Sequence, residues 1–196
     1  MCNDDIYRFT IYSDGVFNQN GETQGGYHTW VKIEGTYGGG SYSFGPTGSI
    51  FGSPGTFRIE PADREALVPQ YTGYIPFETY ANMYAMAKFL DKNPPYYQIF
   101  QSGGDNCVEV TSKILEAGGI NVLKGILTPS GAINVINILN TTPNGEYLFY
   151  PEYDPENEEC EDEEDKIDDE INNDFNTAAN VLPRRWDPLI FGSVVF

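Results

Sequence analysis

The residues of this chain best suited to covalent chemistry are Cys107 and His28. The chain contains three cysteines, at positions 2, 107 and 160, and one histidine. A cysteine attacks as the thiolate, which a helix N-terminus and a neighbouring base both favour. Cys107 follows a Gly-Gly-Asp-Asn turn at the predicted start of a helix, whereas Cys160 lies in an acidic run that disfavours a thiolate. We therefore predict that Cys107 is the nucleophile and His28 its general base.

The same helix start would supply the oxyanion site of a cysteine hydrolase. The first N–H groups of a helix have no partner within it, and they are suited to bind the negative charge of a tetrahedral intermediate. The backbone of Cys107 and the adjacent Asn106 are the candidates, and Asp105 or Asn106 is the expected N-cap. The alternative is that Cys107 is a small buried apolar residue without reactivity.

The cysteine pattern predicts neither a disulfide framework nor a metal centre. The number of cysteines is odd, their spacing is wide, and they include no Cys-x-x-Cys pair. We accordingly expect no metal and no cofactor.

Alternating and helical patterns predict the elements that position these residues. Alternation of side-chain type predicts strands at 6–12, 27–34, 41–45 and 56–61. In the second strand, His28, Trp30 and Lys32 share one face, and residues 27, 29, 31 and 33 share the other. Apolar spacing predicts helices over 76–91, 106–117 and 129–140, although the Val and Ile content of the last leaves a strand open. The fold class expected is α+β, with a small antiparallel sheet packed against helices.

The net charge of −18 is concentrated in one short segment. Residues 152–170 carry thirteen acidic side chains and one basic side chain, that of Lys166. We expect a solvated, flexible segment there, with an interaction arm as the alternative. The predicted organisation is a catalytic domain at 1–150, a flexible acidic excursion at 151–172, and a C-terminal segment at 173–196 that packs back on the domain. No cluster of Lys and Arg is present, which argues against nucleic-acid binding.

The sequence predicts neither a membrane span nor a secretory leader. It contains no run of about 18 apolar residues. Its first residues, MCNDDIYRF, lack the basic and apolar stretches of a signal peptide. We expect a protein made in the cytoplasm that would leave its cell only by a signal-independent route.

Four short motifs, taken in order, resemble the permuted papain-like superfamily. This group includes the PPPDE isopeptidases, relatives of lecithin–retinol acyltransferase, and circularly permuted NlpC-like amidases. The motifs are Tyr27-His28-Thr29 on a strand, Phe44-Gly45 after the return strand, Tyr97-Gln98-Ile99-Phe100, and Asn106-Cys107. The likeness covers about residues 6–120, and this chain differs from the pattern by the insertion of residues 102–105 before the cysteine.

The resemblance implies a permuted papain-like fold with its nucleophile at a helix N-terminus. It assigns the general base to His28 and the nucleophile to Cys107, which would form a thioacyl-enzyme. Relatives with a third catalytic residue carry a polar group on the strand after the histidine. The candidates here are Ser41 and Ser43, of which Ser43 is preferred, and a Cys–His dyad without a third residue is the alternative.

The resemblance also suggests a substrate class. Permuted NlpC-like proteins of bacteria are often cell-wall amidases, and some resemble type VI secretion effectors. On that reading the chain is an antibacterial toxin that cleaves peptide amide bonds of peptidoglycan in the periplasm of a target cell. An immunity protein or the secretion apparatus would be its protein partner.

Three alternatives to this substrate class remain. The first is an isopeptidase that acts on a protein modifier. The second is an enzyme of lipid acyl transfer, which is disfavoured because the sequence contains no basic amphipathic helix. Outside enzymes, the alternative is a noncatalytic acidic interaction protein or an immunity-type protein.

Overall fold

The computed structural model describes residues 6–14, 28–99 and 104–150 of the 196-residue chain. All of these residues belong to one unit, which spans Met1–Cys160. The acidic excursion predicted at 151–172 and the C-terminal segment predicted at 173–196 lie outside the described residues. The same holds for Cys2, Cys160 and Tyr27.

A six-stranded antiparallel sheet forms the centre of the described part of the chain. Its strands are β1 (Arg8–Asp14), β2 (His28–Gly35), β3 (Gly38–Pro46), β4 (Ser53–Arg58), β5 (Gln70–Tyr74) and β6 (Tyr96–Tyr97). Their order in space is β5-β1-β2-β3-β4-β6. Asp14 lies opposite His28 on the β1–β2 ladder. His28 therefore begins an inner strand, flanked by β1 and β3.

Four helices accompany the sheet in the described ranges. They are α1 (Ala62–Glu65), α2 (Phe77–Lys92), α3 (Cys107–Ala117) and α4 (Pro129–Thr141). The three longer helices lie where the sequence predicts them. The segment of α4 is helical rather than extended because Thr128 caps its start by accepting from the N–H of Gly131, and Pro129 suits the first turn. None of these helices combines the length and apolar composition that crossing a bilayer requires.

Several short elements differ from the sequence prediction. The pattern does not predict β5, α1 or β6, and it places the fourth strand at 56–61, whereas β4 ends at Arg58. β6 contains two residues, which pair with Ser53 and Pro54 of β4. A strand of two residues is too short to show a periodic pattern in the sequence. It forms because β4 is present to pair with it.

One face of the sheet packs against α2, α3 and α4 and contains the main core. Its side chains and those of the facing helices are buried together, among them Phe9, Ile11, Val31, Ile33, Phe44, Met83, Val110, Ile114 and Ile136. Full burial of one such side chain contributes about 1.5–3 kcal/mol. The α+β class and the antiparallel sheet packed against helices are thus confirmed.

The opposite face of the sheet is covered in part by α1. Trp30 is fully buried on this face, with the ring of Tyr12 stacked on it at 5.2 Å between centroids. The guanidinium of Arg64, from α1, lies 4.9 Å from the centroid of the Trp30 ring. Lys32 extends along the same face to an ion pair with Glu65 at 3.7 Å. The start of β2 is therefore enclosed on both of its faces.

Candidate active site

Cys107 is the first residue of α3, and Asn106 caps that helix. Oδ1 of Asn106 accepts from the N–H of Val108 at 2.8 Å and from the N–H of Glu109 at 3.1 Å. Glu109 completes a capping box, because its Oε2 accepts from the N–H of Asn106 at 2.8 Å. Of the two predicted N-caps, Asp105 and Asn106, the structure selects Asn106.

Both ends of the Asn106 amide form hydrogen bonds. Besides its two capping bonds, its Nδ2 donates to the carbonyl oxygen of Leu127 at 3.2 Å. Asn106 is also buried. Its amide therefore holds the helix start in place, and the backbone N–H of Cys107, which the cap does not use, is the remaining oxyanion candidate.

The segment before Cys107 is held against β6. The N–H of Asp105 donates to the carbonyl oxygen of Tyr96 at 2.9 Å, and the carbonyl oxygen of Asp105 accepts from the N–H of Gln98 at 3.1 Å. The carboxylate of Asp105 forms an ion pair with Lys113 of α3. These bonds bring Tyr97 beside the start of α3.

The thiol of Cys107 is enclosed by protein. The residue is 3% exposed. Burial raises the pKa of the Cys107 thiol, and the backbone amides of Thr29, Val108 and Cys107 together with the hydroxyl of Tyr97 act in the opposite direction. The burial effect is the larger one, so the thiol is protonated at neutral pH in this conformation.

His28 is held by the neighbouring strand and by an aromatic ring. Its Nε2 lies 2.7 Å from Oγ of Ser43 on β3. Its ring stacks on Trp30 with 5.6 Å between centroids. Burial lowers the pKa of His28 to about 4, with Arg64 and Arg58 acting in the same direction and Glu60 and Asp14 opposing them. The imidazole is therefore neutral at pH 7.

A charged network continues from Ser43 through Glu60 and Arg64 to Asp14, beside His28. The hydroxyl of Ser43 donates to Oε1 of Glu60, a buried residue between β4 and α1. Arg64 donates to Oε2 of Glu60 and, at 3.0 Å, to Oδ2 of Asp14. The buried carboxylate is thus compensated by a guanidinium, as a buried charge requires.

Cys107 and His28 both lie at the start of β2. The thiol interacts with the backbone amide of Thr29, the residue that follows His28. The hydroxyl of Thr29 bonds Ser13 Oγ at 2.8 Å on the face that packs against the helices. Adjacent strand residues point to opposite faces, and the His28 ring accordingly lies with Trp30. Within the described ranges no hydrogen bond joins the thiol to the imidazole, so their catalytic pairing stays a prediction.

The structure brings together some of the predicted site residues. Ser43 contacts His28, whereas Ser41, the other candidate third residue, has a buried hydroxyl without a hydrogen-bond partner in the described part of the chain. Glu60 and Arg64 are functional candidates that the sequence analysis missed. Their i,i+4 spacing is typical of a helical ion pair, but it carries no sign of contact with a distant histidine.

Groups of acidic, cysteine and histidine side chains that would hold a metal ion are absent from the described residues. Comparison of the chain with protein-family models, with curated proteins and with solved structures finds no match.

Proposed function

We propose that this protein is a cysteine hydrolase of the permuted papain-like kind, with Cys107 as nucleophile and His28 as acid–base residue. The observation that carries the proposal is the meeting of two chain segments: the helix that begins at Cys107 places its thiol against the backbone of Thr29, directly after His28. The polar contact of His28 with Ser43 gives further support, since a catalytic histidine is oriented by a third group.

The proposed reaction splits an amide bond in two steps. His28 takes the proton of the Cys107 thiol, and the sulfur attacks the carbonyl carbon of the substrate. The resulting oxyanion is bound by the backbone N–H of Cys107. The imidazolium gives its proton to the leaving amine as the C–N bond breaks, which leaves a thioester. Water, deprotonated by His28, then hydrolyses the thioester and releases the acid.

This reaction requires the sulfur and a ring nitrogen within hydrogen-bond reach, about 3–4 Å apart. In the described conformation the ring is bonded to Ser43 instead, and both groups are neutral. The proposal therefore includes a closing movement when substrate binds. Catalytic hydrogen bonds are often long without substrate and tighten only in the complex.

The substrate proposed is a peptide amide bond of bacterial peptidoglycan, in the role of a secreted antibacterial effector. Support for this choice comes from the motifs around His28 and Cys107 and their resemblance to permuted NlpC-like amidases. The acidic segment at 152–170 would be repelled by anionic wall polymers. Removal of that segment is therefore expected to leave hydrolysis intact or to increase it.

Purified sacculi provide the test of this function. The full chain should release muropeptide fragments, detected by mass spectrometry, and Cys107→Ser and His28→Ala should each reduce the release at least 100-fold. Cys2→Ser and Cys160→Ser are the matched controls and should retain it. If sacculi stay intact while an isopeptide-linked protein modifier is cleaved with the same residue dependence, the isopeptidase reading replaces the cell-wall reading.

A noncatalytic role is the second candidate, and burial of Cys107 favours it. A thiol that is 3% exposed and has a raised pKa suits a core residue as well as a resting nucleophile. Iodoacetamide separates the two roles. An enzyme should show faster labelling of Cys107 than of Cys2 or Cys160, with slowing in His28→Ala. If Cys107 is labelled only after the protein unfolds, the result supports the noncatalytic role.

A further inference from the structure

The hydrogen-bond chain that ends on His28 determines which ring nitrogen carries the proton. An ionised carboxylate only accepts hydrogen bonds, and a serine hydroxyl has a single proton to donate. The hydroxyl of Ser43 donates that proton to Oε1 of Glu60. Its oxygen must then accept from His28, at 2.7 Å, so Nε2 is the protonated nitrogen. Since the neutral imidazole carries one proton, Nδ1 has the free lone pair.

An ion pair holds the Glu60 end of this row of hydrogen bonds in place. Oε2 of Glu60 accepts from Arg64, and the same guanidinium is held by Asp14 at 3.0 Å. Asp14 lies opposite His28 in the β1–β2 register. The network therefore begins and ends at the start of β2, and Glu60 has no freedom to turn away from Ser43 without breaking its ion pair.

Glu60 also lies close to the ring itself. Its Oε1 is 3.7 Å from Nε2 of His28, and its side chain is 7% exposed. A negative charge at this position stabilises an imidazolium whenever His28 takes up a proton. The carboxylate is thus placed to orient the neutral ring and to stabilise the protonated one.

We propose that Glu60 is a positioning residue which, through Ser43, holds His28 in the Nε2–H form and leaves Nδ1 as the atom that accepts the proton. The positioning role rests on the proposed hydrolase function. The protonation pattern itself depends only on the folded protein.

The tautomer is directly measurable, because His28 is the only histidine of the chain. In the full chain labelled with ¹⁵N-histidine, the two ring signals belong to His28 without assignment. At pH 7 we expect the signal of a protonated Nε2 and an unprotonated Nδ1. In Glu60→Gln the amide donates to Ser43 and frees its proton for Nε2, so the two signals should shift toward the Nδ1–H form. An Nδ1–H ring in the wild type, or signals unmoved by Glu60→Gln, would overturn the proposal.

Matched variants keep the test valid if Glu60→Gln is unstable. Ser43→Ala removes the relay while leaving the Glu60–Arg64 ion pair, and it should release the ring into a mixture of tautomers. Ser43→Thr retains the hydroxyl and should restore the Nε2–H form. Glu65→Gln, on the adjacent helix α1, is the control, since its carboxylate pairs with Lys32, and it should leave both ring signals unchanged.

Activity separates this proposal from the function on which it rests. Positioning by Glu60 predicts that Glu60→Gln lowers kcat on sacculi at least tenfold with little change in KM, and that the acid limb of the pH profile moves to lower pH. If Glu60→Gln changes the tautomer but not kcat, the positioning role is wrong. If no variant, His28→Ala included, affects hydrolysis, the proposed function fails while the Nε2–H assignment stands.

Discussion

His28 Nε2 and Ser43 Oγ lie 2.7 Å apart on neighbouring strands. This bond occupies one nitrogen of the only histidine and sets its ring on the face of Trp30. The thiol of Cys107 interacts with the backbone of the next residue, Thr29. Proton transfer between the thiol and the imidazole requires the start of β2 to move when a substrate binds. The hydrogen bonds and ion pairs around His28 determine the free energy of that movement.

Burial of neutral His28 makes the protein sensitive to acid. The folded-state pKa is lowered to about 4 from 6.5, so the unfolded chain binds more protons between these values. The stability contribution is therefore complete above pH 6.5 and is lost as the pH falls toward 4, by about 3 kcal/mol. Urea unfolding at several pH values should show a smaller loss of stability on acidification in His28→Gln, which leaves the neighbouring charged side chains in place. Parallel wild-type and variant profiles would contradict this.

Asn106 should be a stability determinant of α3. Asn106→Ala removes the acceptor of two N–H groups and leaves the carbonyl of Leu127 without its donor. We expect a loss of about 1–2 kcal/mol in the free energy of unfolding. Asn106→Asp keeps the capping oxygen and should lose less, as chemical denaturation can measure. Equal losses in both variants would mean that the Leu127 bond, rather than the cap, stabilises this helix.

Removal of Arg64 should be far more damaging than removal of an exposed arginine. Arg64→Met removes the ion pairs of the guanidinium with the buried carboxylates of Glu60 and Asp14. We expect a loss of about 2–3 kcal/mol in the free energy of unfolding. Arg8→Met is the control, because its ion pair with Glu34 is exposed and is worth below about 1 kcal/mol. Similar losses in the two variants, measured in the same denaturant series, would show that the buried network is not stabilising.

Gly55 is required where β4 passes the ring of Phe44. A Cβ at this position would overlap that ring and lie 2.6 Å from the carbonyl oxygen of Pro95. Gly55→Ala should therefore destabilise the protein by about 2–3 kcal/mol. The control is Gly48→Ala, since the nearest atom to its added Cβ is 3.6 Å away, and it should change stability by less than about 0.5 kcal/mol. Thermal unfolding of the two variants compares them directly.

The local features of the site could be predicted from the sequence because their causes are local. The Asn106 cap depends on a side chain and N–H groups within three residues, and alternation places His28 and Trp30 on one face of β2. The preference for Ser43 over Ser41 rests on the resemblance, and the structure places the hydroxyl of Ser43 in contact with His28. Any catalytic role for Ser43 stays a prediction.

The sequence by itself determined the α+β class, the helices α2 and α3 and the position of Cys107 at a helix start, because periodicity and capping act over neighbouring residues. Only the tertiary structure decided that Glu60 and Arg64 reach His28 through Ser43. It also decided that α3 packs on the face of β2 opposite the imidazole. Contacts between residues distant in sequence depend on how the sheet orders its strands and on which face receives each helix. The strand order and the placement of the helices minimise the free energy of the whole fold, so they cannot be read from a short window of residues.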